Sequence, residues 1–81
     1  MRLDKFLKVS RIIKRRVVAK DACNSDKILI NNKISKPSSE VNVGDILEIH
    51  FGNSNFKAEI LQIKEHVKKN EAEELYKIIN N

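Results

Sequence analysis

The chain has 81 residues, of which 16 are Lys or Arg and 11 are Asp or Glu, so its formal net charge is +5. A chain of this length buries roughly 60% of the surface that its unfolded form exposes, which leaves room for one core and excludes a multidomain enzyme. Its 41% hydrophobic content is too high for a disordered tail, and its 33% charged content is too high for a membrane span. We therefore expect a single small globular domain.

The N-terminus lacks the features of a targeting segment. Charges stand at Arg2, Asp4 and Lys5 with no signal-peptide apolar block, and no apolar run approaches the roughly 18 residues of a membrane helix. The single cysteine, Cys23, can form neither an internal disulfide nor a zinc site. A cytoplasmic protein that does not contact a membrane is expected.

Positive charge is concentrated in the first half of the chain. Residues 1–36 carry 11 basic and three acidic side chains, a net of +8, whereas residues 37–81 carry five and eight, a net of −3. Like charges at this density repel one another in the folded state, and a polyanion such as nucleic acid relieves that repulsion. The alternative is an ordinary solvated helix face, and we favour the nucleic-acid interpretation.

Two short helices are predicted in this basic half. Leu3, Phe6 and Leu7 have the spacing of an amphipathic helix over about residues 3–9. A second helix is predicted from about Lys14 to Asn24. Its expected buried stripe consists of Val18, Ala19, Ala22 and Cys23.

The apolar period then changes to two, which predicts strands. Ile28 and Ile30 belong to a first strand, and the pair Asn31-Asn32 tolerates the positive φ of a tight hairpin. Further turns are expected at Pro37-Ser38-Ser39 and at Gly44-Asp45.

Two longer strands and a helix are predicted after these turns. Ile46–Phe51, with Leu47, Ile49 and Phe51 on one face, pairs with Phe56–Ile63 around a loop at residues 52–55. A C-terminal helix is predicted from Ala72, Leu75, Tyr76 and Ile79, with a capping box formed by Asn70 and Glu73. The fold class is therefore α+β, with two N-terminal helices packed on a small antiparallel sheet and a short C-terminal helix.

Motifs for catalysis or metal binding are missing from the sequence. His50 and His66 are its only imidazoles, and no H-x-x-x-H or C-x-x-C spacing accompanies them. The serines lack a G-x-S-x-G context, and two glycines, Gly44 and Gly52, cannot build a phosphate-binding loop. We expect no enzymatic activity, no cofactor and no metal.

The basic N-terminal surface is the candidate binding site. Arginine binds phosphate through its planar fork and lysine through its point charge, although each residue could instead be solubilising charge. Aromatic residues are few and mostly core-facing, so recognition is expected to depend on the nucleic-acid backbone. The candidate residues are Arg2, Lys5, Lys8, Arg11, Lys14, Arg15, Arg16 and Lys20.

Three motifs together resemble the S4 RNA-binding domain family over about residues 1–51. They are R-L-D at residues 2–4, I-x-I-N at residues 28–31 and V-x-x-G-D at residues 41–45. The resemblance implies the alpha-L RNA-binding motif, in which two helices and the following hairpin form one RNA-binding surface, and it adds Lys33 to the candidate site. Asp26 and Asn32 stand where the family usually has glycine, so we expect local stability to suffer more than binding.

A closer resemblance covers the whole chain. The opening R-L-D-K-F-L-K-V-S-R-I-I-K-R-R and the tail motifs E-H-V-K-K and L-Y-K-I-I are similar to a family of freestanding ribosomal quality-control factors, relatives of the ribosome-associated fifteen-kilodalton heat-shock protein. This implies binding to ribosomal RNA of the large subunit and to peptidyl-tRNA, beside an alanine-tailing factor on the same subunit. The expected organisation is a monomer with an S4 core at residues 1–51 and an extension at residues 52–81.

Three other interpretations stay open at this point. The protein could be a general ribosome-assembly or heat-shock factor, which cosedimentation with assembly intermediates would distinguish. It could be the targeting domain of an RNA-modifying enzyme, although the chain is short for that. It could also be a protein-interaction module that uses the acidic C-terminal helix, with the basic face incidental.

Overall fold

Helices and a five-stranded antiparallel sheet make up the structure, a computed structural model that describes residues 1–79. The sheet has the strand order β2-β1-β3-β4-β5. This confirms the predicted α+β fold. The last two residues of the predicted extension at residues 52–81 lie outside the described range. In chain order the elements are α1 (Leu3–Val9), α2 (Arg16–Asn24), β1 (Ile28–Ile30), β2 (Lys33–Ile34), β3 (Ile46–Phe51), β4 (Ser54–Ile60), a 3-10 helix (Lys69–Leu75) and β5 (Tyr76–Ile78).

Helix α1 is held at its N-terminus by the loop that precedes β3. Leu3, Phe6 and Leu7 are fully buried, as their spacing predicts. The backbone N–H of Leu3 donates to the carbonyl of Ser39 (2.7 Å), and that of Asp4 donates to the carbonyl of Pro37 (3.1 Å). Since the first N–H groups of a helix have no partner within the helix, these bonds satisfy them and fix the position of α1.

Helix α2 begins two residues later than predicted, because Arg15 has extended backbone at its N-terminus. Ala19 and Cys23 are buried, but Val18 is 47% exposed, so its predicted place in the buried stripe is wrong. Residues 19 and 23 are one turn apart on a single face, and Ala22 beside them is half-buried against the core, whereas Val18 lies outside this face. Burial raises the pKa of the Cys23 thiol to about 11, and the thiol packs as a neutral apolar group.

The β1–β2 hairpin turns on two asparagines, as predicted. Asn31 and Asn32 have φ of 51° and 69°, the left-handed pair that a two-residue hairpin with the twist of the sheet requires. The Asn31 side chain also donates to Asp45 Oδ1 (3.1 Å) and accepts from the backbone N–H of Ile46 (2.9 Å). The hairpin is thereby attached to the start of β3. Asp26, before β1, likewise has a positive φ of 59°.

The β3–β4 hairpin is tighter than predicted. Its turn consists of Gly52 and Asn53 alone, because Phe51 already pairs with Ser54. Strand β4 therefore begins before residue 56, and it ends at Ile60 and not at residue 63. Leu47 and Ile49 are buried as expected, whereas Phe51 is 50% exposed because it lies at the end of the strand beside the turn.

The C-terminal segment differs most from its prediction. A helix is present but is a 3-10 helix, and its cap is formed by the Lys68 N–H donating to Glu71 Oε1 (3.1 Å), not by the predicted Asn70 and Glu73. Tyr76, expected in the helix, instead begins β5, which pairs with β4. The free edge of β4 supplies backbone hydrogen-bond partners for residues 76–78. The spacing of apolar residues in the sequence does not predict such pairing.

One core unites these elements. It contains side chains from both helices and from the inner face of the sheet, closed at the C-terminal end by the 3-10 helix. Its fully buried large side chains are Leu3, Phe6, Leu7, Ile28, Leu47, Ile49, Ile60 and Leu75. Among the described residues, none of the helices has the length and apolar character needed to cross a membrane.

The two turn asparagines predict opposite effects of substitution by glycine. Asn32→Gly removes the cost of positive φ and should raise the free energy of unfolding by about 0.5 kcal/mol. Asn31→Gly also removes the cost of positive φ, but it loses two side-chain hydrogen bonds, each worth about 1 kcal/mol net. It should therefore lower the free energy of unfolding. Urea unfolding of the two variants measures the difference. Equal stabilisation by both would show that the Asn31 bonds to β3 contribute nothing.

Candidate nucleic-acid interface

A buried carboxylate connects the two helices. The Asp4 side chain, in the first turn of α1, is fully shielded from solvent. Its Oδ1 accepts from Arg2 Nε (3.2 Å) and from Arg16 Nη2 (3.4 Å), and its Oδ2 accepts from Arg2 Nη2 (3.2 Å). The backbone N–H of Lys5 donates to the same Oδ1 (2.8 Å). We call Arg2 and Arg16 the arginine pair; Asp4 holds both members.

Charge keeps this arrangement together. Burial by itself raises the pKa of the Asp4 carboxyl, but hydrogen bonds from Arg2 and Arg16 and the positive charge of Arg16 outweigh it and leave the pKa below its ordinary value. Asp4 is therefore ionised at neutral pH. The side chains of Arg2 and Arg16 are 51% and 41% exposed, so both remain accessible to solvent while they bind the carboxylate. The Nε of Arg16 is buried and has no hydrogen-bond partner among the described residues.

Next to the arginine pair lies a cleft of about 280 Å³ with basic walls. Residues of α1, of the α1–α2 connection and of α2 form one side, and Glu65, His66 and Val67 form the other. We call this the cationic cleft; five of the nine predicted site residues line it, namely Lys5, Lys8, Arg11, Lys14 and Arg16.

Backbone geometry in the α1–α2 connection shapes the cleft. Arg11 has a φ of 62°, a left-handed conformation that is uncommon outside glycine and asparagine. The Arg11 N–H donates to the carbonyl of Lys8 (3.0 Å), and the Ile13 N–H donates to that of Leu7 (3.1 Å), which ends α1 and buries Ile13. An unfavourable backbone conformation held by its surroundings is common at binding sites.

The remaining predicted site residues are exposed but lie outside the cleft lining. Arg15 stands at the N-terminus of α2, Lys20 is one turn after Arg16, and Lys33 is on β2. Sequence reasoning missed a further exposed base, Lys36, which precedes the loop that binds the N-terminus of α1. Its only sequence signal is its place in the basic half.

Asp4 is the functional residue whose role sequence reasoning missed. The sequence shows it only as part of the R-L-D motif and as the sole acid among the first twenty residues. That isolation was itself a signal, because one carboxylate amid eight cations is well placed to bind several of them. Arg16 reaches Asp4 only because α2 packs against α1, and the sequence alone does not predict that tertiary contact.

The two histidines have separate surroundings. His50 Nε2 donates to Glu48 Oε2 (2.5 Å) on β3, and this bond lowers the pKa of the Glu48 carboxyl. His66 lines the cationic cleft. Within residues 1–79, no three His, Cys, Asp or Glu side chains gather closely enough to hold a metal ion.

Comparison with known proteins identifies relatives along the whole chain. The S4 domain family matches residues 1–47, more than half of the chain. A protein named RQC P-site tRNA stabilizing factor in Streptococcus pneumoniae is 46% identical over 80 residues, which cover 99% of this chain and 91% of the relative. Its namesake in Halalkalibacterium halodurans is 49% identical over 78 residues, covering 96% and 89%.

A solved structure shares the fold. The trimeric structure of Vibrio cholerae Heat Shock Protein 15 superposes with a TM-score of 0.88 at 29% sequence identity. The match covers 98% of this chain and 81% of the other. The sequence relatives and the solved structure therefore both match this chain over nearly its whole length.

Replacing Asp4 should destabilise the protein in a pH-dependent way. Because its folded-state pKa is lowered, its contribution to stability is full above the unfolded pKa near 4 and is lost as the pH falls through the folded-state value. Asp4→Asn should lower the free energy of unfolding by about 1–3 kcal/mol at pH 7, and the difference from wild type should shrink below pH 4. Urea unfolding from pH 7 to pH 3 measures it.

Asp21→Asn is the matched control, since Asp21 is an exposed acid on α2. It should leave stability nearly unchanged at every pH. A pH-independent loss in Asp4→Asn would mean that the ionised state of the carboxyl is not what stabilises the fold.

Proposed function

Because the chain belongs to the S4 domain family and, within it, to the RQC P-site tRNA stabilizing factors, we propose that it is a non-catalytic RNA-binding protein of the large ribosomal subunit. The binding surface in this proposal is the arginine pair, the cationic cleft and the flanking basic residues Arg15, Lys20 and Lys33. Its ligands are ribosomal RNA and the peptidyl-tRNA in the P site.

The observation that carries the proposal is the arginine pair held by Asp4. Two partly exposed arginine side chains share one buried carboxylate, which leaves a net positive charge and orders both guanidinium groups. A planar guanidinium can bind a phosphate through two parallel hydrogen bonds, and a side chain already ordered loses less entropy on binding. The arrangement therefore suits recognition of phosphate in an RNA backbone.

The chemistry of this surface and the names of the relatives support the proposed cellular role. A protein that clamps RNA phosphates can hold a peptidyl-tRNA on a large subunit while an alanine-tailing factor on the same subunit adds the next residue. In this role the protein supplies contacts and no reaction step. We further propose that it acts in the cytoplasm as a monomer, which sedimentation of the purified protein tests directly.

Binding should depend steeply on salt. If about six basic residues engage phosphates, the logarithm of affinity should fall with the logarithm of salt concentration at a slope of about −4 to −5. The measurement is a titration of large subunits carrying peptidyl-tRNA between 50 and 200 mM salt, about the range in which such contacts weaken. A flat response would rule out binding through phosphates.

Loss of either arginine should weaken binding more than loss of a lysine elsewhere. Arg2→Ala and Arg16→Ala should each reduce affinity by about 1–3 kcal/mol, because each removes a positive charge and the guanidinium N–H groups that Asp4 leaves free for a phosphate. Lys77→Ala is the matched control, since Lys77 is an exposed cation on the edge strand β5. In cells that lack the protein, the control should restore alanine tails on stalled chains and Arg16→Ala should not. Full restoration by both arginine variants would place the binding site elsewhere.

A general heat-shock or assembly factor is the second candidate, favoured by the likeness to Heat Shock Protein 15. The two functions predict that the protein sediments with different ribosomal particles in a sucrose gradient. A quality-control factor sediments with large subunits that carry peptidyl-tRNA, whereas an assembly factor sediments with incomplete subunits. Enrichment on incomplete subunits alone would favour the second candidate.

A further inference from the structure

The cationic cleft already holds an anion from the protein itself. Glu65 is the one carboxylate among its lining residues, and Lys5 Nζ donates a hydrogen bond to Glu65 Oε2. This contact joins residues 60 positions apart, so it depends on the tertiary fold and not on local sequence. The Lys5 side chain is 34% exposed and that of Glu65 is 64% exposed, which leaves the pair open to an incoming ligand.

Glu65 lies in an exposed stretch of three residues between Ile63 and Val67, both of which pack against the core. The connection from β4 to the 3-10 helix has no regular secondary structure at residues 61–68. At one end the N–H of Leu61 donates to the carbonyl of Leu75 (2.8 Å), and at the other Val67 packs against the core. Residues 64–66 between these anchors are all exposed. Glu65 can therefore leave the cleft without disturbing the core.

The chemistry of the pair is that of a lysine with a phosphate. A carboxylate and a phosphodiester both offer an anionic oxygen to the ammonium group, and the hydrogen bond and charge of Lys5 hold the pKa of Glu65 below its usual value. Glu65 is thus charged at neutral pH and neutralises one of the five cations of the cleft. An RNA phosphate that approaches Lys5 meets this carboxylate first.

We propose that Glu65 occupies the position of an RNA phosphate on Lys5, and that RNA binding displaces residues 64–66 from the cleft. The inference rests on the proposed RNA-binding function and adds a regulatory contact to it. Glu65 lowers affinity for any RNA, so that only an RNA held by the arginine pair at the same time displaces it efficiently. The penalty is the same for every RNA, but it lowers the occupancy of weakly held RNA most, while an RNA that the arginine pair holds tightly still fills the site.

Glu65→Gln tests the proposal because it keeps the size of the side chain and removes its charge. Binding to large subunits carrying peptidyl-tRNA should tighten about three- to tenfold at low salt, the scale expected when one charged competitor is removed. This gain should shrink as salt rises, so the salt slope of the variant should be steeper than that of wild type, because salt screens the Lys5–Glu65 pair that only wild type must break. A positioning role for Glu65 predicts the opposite sign, since Lys5 would then lose its orientation and binding would weaken.

Glu73→Gln is the matched control for net charge. Glu73 is an exposed glutamate of the 3-10 helix, and no ion pair involves it within the described residues. It should leave the salt slope unchanged. Combining Glu65→Gln with Lys5→Met provides a second test: without the lysine, Glu65→Gln should have no more effect than Glu73→Gln.

The outcomes separate this inference from the proposed function. If wild-type protein fails to bind the subunits at all, the proposed function is wrong. If wild type binds with a steep salt slope while Glu65→Gln behaves like Glu73→Gln or weakens binding, only the role of Glu65 is overturned.

Discussion

The proposed binding surface depends on one buried carboxylate. Asp4 is fully shielded from solvent, and its two oxygens bind guanidinium groups from the N-termini of both helices. Without that negative charge, Arg2 and Arg16 would repel each other across the contact between α1 and α2. With it, the same two residues tie the helices together and still present half of their surface to a ligand. Stability and binding thus share one interaction.

The rest of the fold supports this surface and limits its charge. The first 36 residues carry a net +8 and the remainder a net −3, so strands β3 and β4 and the C-terminal segment form an acidic support for a basic face. That support reaches into the site at Glu65, which pairs with Lys5. A surface with this many cations attracts any nucleic acid. An internal carboxylate on one of them is a simple way to weaken unspecific contacts.

Local sequence rules predicted the two helices, the asparagine turn and most of the core, because helical spacing and positive-φ turn residues are properties of short segments. They failed where a distant element decides the outcome. Val18 has the right spacing to be buried, but α2 turns only a narrow face inwards. Tyr76 continues a helical pattern, but the edge of β4 pairs with it. The basic site residues were visible as charge, whereas Asp4 and Glu65 gain their roles only from contacts with elements far along the chain.

A double-mutant cycle between Asp4 and Arg16 tests the central claim most directly. Affinity for large subunits carrying peptidyl-tRNA is measured for wild type, Asp4→Asn, Arg16→Ala and the double variant. If the carboxylate organises the arginine for RNA, Asp4→Asn weakens binding although it removes a negative charge, and its effect becomes smaller by about 0.5–3 kcal/mol once Arg16 is absent. Additive effects of the two substitutions, or tighter binding by Asp4→Asn, would contradict that claim.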